Sequence, residues 1–323
     1  MTVWRQLEQV PPDLGPTVVT IGNFDGVHRG HRVVIDSART TADGLGGLPV
    51  VAVTFDPHPM RVLLPERAPR QLTSIGQRCD LLLEAGVDAV LVLAFDRALA
   101  SWTPHEFVQR VLVEALAARA VVVGENFRFG AKAAGSTATL DELGGEHHFD
   151  VHALGIAGAA HPWSSSAARQ ALAEGDVIEA ARVLGRDHTV RGVVVEGDKR
   201  GRQLGFPTAN VPTDAATAVP LDGVYAGWLR RLDDPDAQRL PAAISVGTNP
   251  TFNGVQHRVE SYVLDRTDLE LYDVPVEVSF VERLRGQERY DSVDALVAQM
   301  HLDVDKAHTI LGVEAPAEPD RAG

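Results

Sequence analysis

Residues 18–37 read VVTIGNFDGVHRGHRVVIDS, and the rest of the chain is organised around them. Val18, Val19 and Ile21 form a short apolar run, the pattern of a buried strand. Gly22 breaks the run, and Asn23-Phe24-Asp25-Gly26 is turn chemistry. His28 and His31 follow three residues apart, so both imidazoles are predicted on one face of the first turn of a helix. A strand, a glycine turn and a helix N-terminus make a phosphate site, because backbone N–H groups and the positive end of the helix dipole converge there. A strand-to-helix turn with surface histidines is the plainer reading, but it leaves the whole string unexplained.

Downstream, the same alternation recurs. Residues 49–55 are a second continuous apolar run ending in Asp56-Pro57-His58-Pro59, where two prolines stop ladder pairing. Residues 74–85 are predicted helical, 89–95 a third strand and 120–123 a fourth. Between them Thr103-Pro104-His105-Glu106 is a helix start, with a capping box and proline in the first turn. Phe107, Val108, Val111, Leu112 and Leu116 continue it as an apolar stripe. Strands apolar on both faces, alternating with helices, predict a parallel sheet covered on both sides. In such sheets ligands bind beyond the carboxyl ends of the strands. Residues 22–31, 56–58 and 125–130 all fall there. In the last of these loops Asn126 suits a nucleotide edge or ribose, and Arg128 can meet phosphate. Two core phenylalanines flanking an exposed Arg128 is an equal reading. Residues 131–163 carry no clear pattern. After them Ser164, Ser165 and Ser166 precede a helical run, with Arg169 in its first turn; hydroxyls, a helix N-terminus and a cation suit phosphates, and a plain helix cap competes.

A change of period at Gly185-Arg186-Asp187 predicts a domain boundary: residues 1–186, then 187–313, then a disordered tail at 314–323. Residues 188–196, 225–232, 242–246, 258–264 and 274–282 read as short strands without intervening helices, predicting a small antiparallel barrel or sandwich. Residues 291–311 close it as a helix with Val293, Leu296, Met300 and Val304 as core positions. Residues 197–210, GDKRGRQLGFPTAN, hold glycines that free backbone N–H groups for phosphate, and Lys199, Arg200 and Arg202 add charge; a solvated hairpin tip is the competing reading. Thr208 and Asn210 face the same way on an extended segment, a pair of hard ligands suited to partly hydrated Mg2+ on ATP. Glu260 interrupts a β pattern with a carboxylate able to accept a hydroxyl proton.

Composition bounds the partners. The chain has 323 residues, enough for two cores, and a net charge of −14, which argues against nonspecific nucleic-acid or membrane binding. A single cysteine, Cys79, precludes a disulfide framework or a cysteine metal cluster. No signal-peptide order or membrane-length apolar run is visible, so a soluble cytoplasmic protein is expected.

The first motif resembles the GxFDGVHxGH signature of nucleotidyltransferases, relatives of the HxGH class. GFPTAN at 205–210, with VES at 259–261, looks like riboflavin kinase. TFDPHP at 54–59 and GENFRFG at 124–130 add to the resemblance, and the order of the halves is similar to the prokaryotic bifunctional riboflavin kinase/FAD synthetases, from about Val18 to about Leu311. The resemblance implies a Rossmann-like N-terminal α/β domain that transfers AMP from ATP to FMN, giving FAD and pyrophosphate. It implies a C-terminal β-barrel kinase that phosphorylates riboflavin to FMN. ATP would be bound for adenylylation by Gly22, Asn23, Phe24, Asp25, Gly26, His28, His31, Asn126, Ser165, Ser166 and Arg169, with the histidines catalytic. Gly205, Phe206, Pro207, Thr208 and Asn210 would bind ATP and flavin in the kinase, Thr208 and Asn210 holding Mg2+, with Glu260 as catalytic base. The serine motif departs from the family's SSTRIR: Ala167 and Ala168 stand where Arg and Ile are usual. Pro162 and Trp163 stand where some relatives carry a basic residue, with His161 a possible substitute. The alternatives are a riboflavin kinase with an impaired N-terminal half, and a flavin- or nucleotide-binding regulator that turns nothing over.

Overall fold

The structure is a computed structural model. It describes residues 2–155, 163–197, 201, 204–251 and 254–314, leaving aside the side chains of 248–251 and 254–257. Lys199, Arg200, Arg202, His161, Pro162 and the tail from 315 therefore lie outside the described residues. The chain divides into two compact units: Met1–Pro69 with Ile75–Ser164, and Arg70–Ser74 with Ser165–Gly323.

The first unit is a six-stranded parallel sheet. In chain order its elements are β1 (Thr2–Trp4), β2 (Thr17–Ile21), α1 (Arg29–Gly44), β3 (Val50–Asp56), α2 (Pro59–Leu63) and α3 (Ile75–Glu84). There follow β4 (Ala89–Ala94), α4 (Pro104–Phe107), β5 (Ala118–Gly124), α5 (Thr137–His147) and β6 (Asp150–Leu154). The strand order is β1-β4-β3-β2-β5-β6. Successive side chains of a strand point to opposite faces, and here both faces are covered. Val18, Val50, Ala52, Val90 and Val122 pack with Val34, Ile35 and Ala38 of α1 and Leu82 of α3. Val19, Val51, Val53, Leu91 and Val121 pack with Phe107, Val111, Leu112 and Leu140 on the other side. This double covering explains the unbroken apolar runs. The predicted capping box on α4 forms, and its apolar stripe is buried, but Val108–Ala115 runs on as a π-helix. Residues 131–163, patternless in sequence, contain α5 and β6.

Strand order reverses at β2. β3, β4 and β1 lie to one side, β5 and β6 to the other. The crevice beyond the carboxyl ends of β2 and β5 is where such a sheet binds ligands, and the 22–31 and 124–130 loops sit there.

The second unit holds α6 (Ser165–Glu174), α7 (Val177–Leu184), β7 (His188–Val193), β8 (Thr208–Pro212), β9 (Gly223–Arg231), β10 (Leu240–Thr251), β11 (Gly254–Val263), β12 (Pro275–Arg285) and α8 (Val293–Leu311). The antiparallel sheet runs β7-β12-β9-β10-β11-β8. Its two edges meet where Val195 N–H donates to the Asn210 carbonyl at 2.9 Å, curling the sheet into a barrel. The expected boundary at Arg186 falls within this unit, because Ala168, Ala171, Leu172, Val177, Ala180, Val183 and Leu184 of α6 and α7 share one core with Val211, Tyr225, Ile244 and Phe280. The core expected along α8 is corrected in part. Val293 is 59% exposed, whereas Leu296, Met300 and Val304 are half-buried against a cavity.

Candidate functional sites

In the first unit the decisive loop is built by its own buried side chains. Phe24 and Val27 adopt left-handed backbone (φ 47° and 37°), flanking Gly26 at φ 82°. Two non-glycine residues in that region store strain of about 1–3 kcal/mol each. It is offset by anchoring: Phe24 is 2% exposed and Val27 fully buried. Gly22 N–H donates to the Val53 carbonyl, and the Thr54 hydroxyl donates to the Asn23 carbonyl at 3.1 Å. Asp25 points inward at 2% exposure, with the Arg78 guanidinium 3.8 Å away. Arg78 itself is fully buried on α3 and donates to the Phe55 carbonyl at 3.0 Å and the Thr54 hydroxyl at 3.4 Å. Phe24 and Asp25, both expected at the ATP site, are thus buried in this structure.

His28 is the N-cap of α1, its Nδ1 accepting from the His31 N–H at 3.3 Å. The two imidazoles stack with centroids 3.6 Å apart and planes 20° from parallel, and Phe24 meets His31 edge-on at 5.1 Å. Gly30 permits this packing: a Cβ there would lie 2.8 Å from the Trp163 carbonyl and 3.1 Å from the His28 ring. Burial, then the neighbouring His28 and Arg78, hold the His31 pKa well below its ordinary value. His31 is therefore neutral near pH 7 when no anion is present.

Gly22, Asn23 and Asn126 line one cavity of about 560 Å3, walled by Phe55, Phe95, Phe127 and Phe129. Phe55 and Phe95 meet edge-to-face at 5.8 Å, and Phe127 stacks on Phe129 at 5.4 Å. Arg128 is exposed at its rim, bonded to the Phe127 carbonyl. His28 and His31 belong to the helix head, not to this wall. His58 caps α2, accepting from Met60 N–H. In the second unit, Ser165 and Ser166 are the first residues of α6, and Arg169 Nε donates to the Arg70 carbonyl at 2.7 Å. The departure to alanine matches its surroundings there, since Ala168 is fully buried and Ala167 packs against the same core.

The second site is set by strand register. β8 and β11 pair so that Asn210 lies opposite Glu260 and Thr208 opposite Tyr262; across β10 Glu260 faces Ser245. Contrary to the expectation from sequence, Glu260 does not interrupt the β pattern. Val259, Ser261 and Val263 turn into the barrel, while Arg258, Glu260 and Tyr262 turn out. Arg258 Nη1 lies 3.5 Å from the Glu260 carboxylate. Asn210 Nδ2 donates to the Thr208 carbonyl at 3.2 Å, and Gly197 leaves room for that amide, since a Cβ there would lie 2.5 Å from Nδ2. Gly205 turns the chain at φ 86°, and Phe206 packs edge-on to Tyr262 at 5.1 Å.

Two cavities share this strand pair. One, about 150 Å3, is lined by Gly197, Pro207, Asn210 and Arg266; the other, about 260 Å3, by Phe206, Tyr262, Tyr290, Leu296 and Met300. Gly201, Thr208 and Glu260 line both. Sequence reasoning missed Arg78, Phe55, Phe95, Tyr262 and Tyr290. A cation inside the predicted 74–85 helix, and an aromatic ending each of two strands, were the available signals for the first three.

Residues 10–166 match the FAD synthetase family and residues 184–311 the riboflavin kinase family. The bifunctional riboflavin kinase/FMN adenylyltransferase of Escherichia coli K12 is 36% identical, covering 97% of this chain and 98% of its own. The Pseudomonas fluorescens enzyme of the same name is 37% identical over 98% and 99%. A crystal structure from Streptococcus pneumoniae, described as a macrolide-efflux protein, superposes with a TM-score of 0.83 at 30% identity, covering 95% and 98% of the two chains. Among the described residues no helix is long and apolar enough to cross a membrane. By sequence along nearly its full length, this chain belongs to the bifunctional riboflavin kinase/FMN adenylyltransferase family.

Proposed function

We propose that the chain phosphorylates riboflavin with ATP to FMN in its second unit, and that its N-terminal α/β machinery adenylylates FMN with a second ATP to FAD and pyrophosphate. The observation that carries the kinase assignment is Glu260 on the wall common to two cavities. Phosphoryl transfer needs a hydroxyl and a terminal phosphate brought in line with a proton acceptor between them. The cavity with Phe206, Tyr262 and Tyr290 has the apolar, aromatic surface that a flat isoalloxazine ring fills. The cavity beside Gly197 and Asn210 is small and polar and suits phosphates. Glu260 takes the proton from the ribityl hydroxyl as it attacks the γ-phosphorus, and ADP leaves. Thr208 and Asn210, with hydroxyl and amide oxygens on one strand face opposite a carboxylate, fit Mg2+. Such an ion neutralises charge on the phosphates. Gly205, Phe206 and Pro207 shape the turn that carries these groups.

For adenylylation, His28 and His31 at the head of α1 hold the triphosphate in this reading, and the loop Gly22 to Gly26 supplies backbone donors; their position at a helix N-terminus supports it. The FMN phosphate attacks the α-phosphorus and pyrophosphate leaves, so no protein nucleophile is required. The aromatic cavity bounded by Phe55, Phe95, Phe127 and Asn126 suits the flavin or the adenine. Ser165, Ser166 and Arg169 are assigned to ATP by motif resemblance. We divide the chemistry at Arg186, residues 1–186 serving adenylyl transfer and 187–313 phosphorylation.

The test is to incubate the purified chain with riboflavin, ATP and Mg2+ and to separate the flavins. FMN followed by FAD is expected. FMN alone would remove the adenylyltransferase assignment; unchanged riboflavin would remove the kinase assignment, and FMN supplied in its place would then test adenylylation by itself.

A further inference from the structure

Two histidines and a glutamate outside both sites meet where α4 begins and α5 ends. His105 lies in the first turn of α4, while Glu146 and His147 are the last two residues of α5. One ligand atom from each lies within 4.8 Å of the others. The two imidazole rings stand 5.7 Å apart at 62°. His147 Nε2 is buried and has no hydrogen-bond partner among the described residues. A buried ring nitrogen left without a partner is costly and calls for an explanation. The carbonyl end of α5 adds partial negative charge at the same place, and the chain as a whole carries −14.

We propose that His105, Glu146 and His147 bind one divalent transition-metal ion of the zinc class. The donor set decides the class. Two imidazoles and a carboxylate suit Zn2+ and its neighbours, whereas Mg2+ and Ca2+ take oxygen ligands. Three protein ligands leave a fourth position for water. Atoms bound about 2.1 Å from one ion in a tetrahedral site lie about 3.4 Å apart, so the cluster must contract modestly. His105 and Glu146 are exposed, whereas His147 is half-buried. The ion would tie the start of α4 to the end of α5. That position bears on the aromatic cavity. Phe107 of α4 lines it, and Gly130, also in its wall, lies so close to Pro104 that a Cβ would meet the Pro104 nitrogen at 2.8 Å. The site is unrelated to the Mg2+ proposed at Thr208 and Asn210 and does not depend on it.

Zn2+ alone is titrated calorimetrically into chelator-treated full-length protein, and Co2+ is added in parallel for its visible spectrum. One equivalent bound in the micromolar range or tighter is expected, with a four- or five-coordinate Co2+ spectrum. His105→Ala and His147→Ala should each weaken binding at least about tenfold. Glu146→Gln, a substitution at an exposed position, should weaken it too and keeps the test valid if His147→Ala fails to fold. His152→Ala, at an exposed histidine on β6, should bind as the parent does. Millimolar binding only, or an equivalent undiminished by the three ligand variants, as when the ion sits on His28 and His31, would overturn the proposal.

Discussion

Arg78 shows how a single side chain can hold a loop that it does not belong to. Its guanidinium reaches Phe55 and Thr54 at the end of β3, Thr54 holds the Asn23 carbonyl, and Asp25 lies within ion-pair distance. Both ions are almost entirely buried, so breaking the pair from one side costs far more than an exposed bridge would. Arg78→Met should lower unfolding stability by about 3–5 kcal/mol, measured by urea denaturation. It should also depress FAD formation from supplied FMN while riboflavin phosphorylation continues; an equal loss of both would mean a general folding defect. His31 makes a second residue-scale prediction. Its pKa is lowered by burial and by nearby positive charge, so the unfolded chain binds this proton more readily. Stability then rises with pH: the contribution is complete above the unfolded value of about 6.5 and is lost as pH falls below it. His31→Gln should flatten that part of the stability profile. Phosphate beside the ring favours the charged form, so ATP binding should take up protons. Calorimetry in buffers of different ionisation enthalpy should detect the uptake in the parent and a smaller one in His31→Gln.

At the scale of elements, the proposed kinase site is a matter of strand register. Thr208 and Asn210 share a face because they are two apart, and the β8–β11 ladder sets Glu260 opposite Asn210. The spacing of the first pair was legible in the sequence; the register was not, because it depends on a partner strand fifty residues away. For the same reason Glu260 read as an interruption until its neighbours on β11 could be assigned to faces. Strands β2 to β5 of the parallel sheet were legible because each is buried on both sides, and the start of α1 because two histidines three residues apart follow the glycine turn. β1 has three residues and β6 has none buried, so neither left an apolar run. The π-helical turn at 108–115 has the same apolar stripe as an α-helix, and sequence period does not separate them. Barrel curvature depends on Gly227 in β9. A Cβ there would lie 1.9 Å from the Ser279 carbonyl on β12 and 2.5 Å from Ile244 on β10. Both are packed barrel groups, so relief requires moving a strand. Gly227→Ala should destabilise the barrel by about 1–3 kcal/mol or more and reduce FMN formation, measured by thermal unfolding and kinase assay; full stability would show that β9 and β12 separate easily. Gly205→Ala probes a turn with open space around it, and its cost is confined to the left-handed backbone, about 1 kcal/mol.

Across the whole molecule, the two chemistries are linked by one compound, FMN, which is product of the first and substrate of the second. Each unit has its own core, so a point change at one site should leave the other folded. Glu260→Gln removes the proposed proton acceptor with almost no change in shape, and should lower FMN formation by about 100- to 10,000-fold, while FMN supplied from outside still becomes FAD. His28→Ala with His31→Ala should do the reverse, accumulating FMN from riboflavin. Mixing the two variants then asks whether FMN travels through solvent. If it does, riboflavin becomes FAD in the mixture after a lag that shortens as either variant is raised in concentration, because free FMN must first accumulate to the level the second site needs. Separate catalytic sites predict this complementation. Its failure, with each variant active in its own half-reaction, would require that FMN pass between sites without release; loss of both half-reactions in either variant would require that the sites not be independent at all.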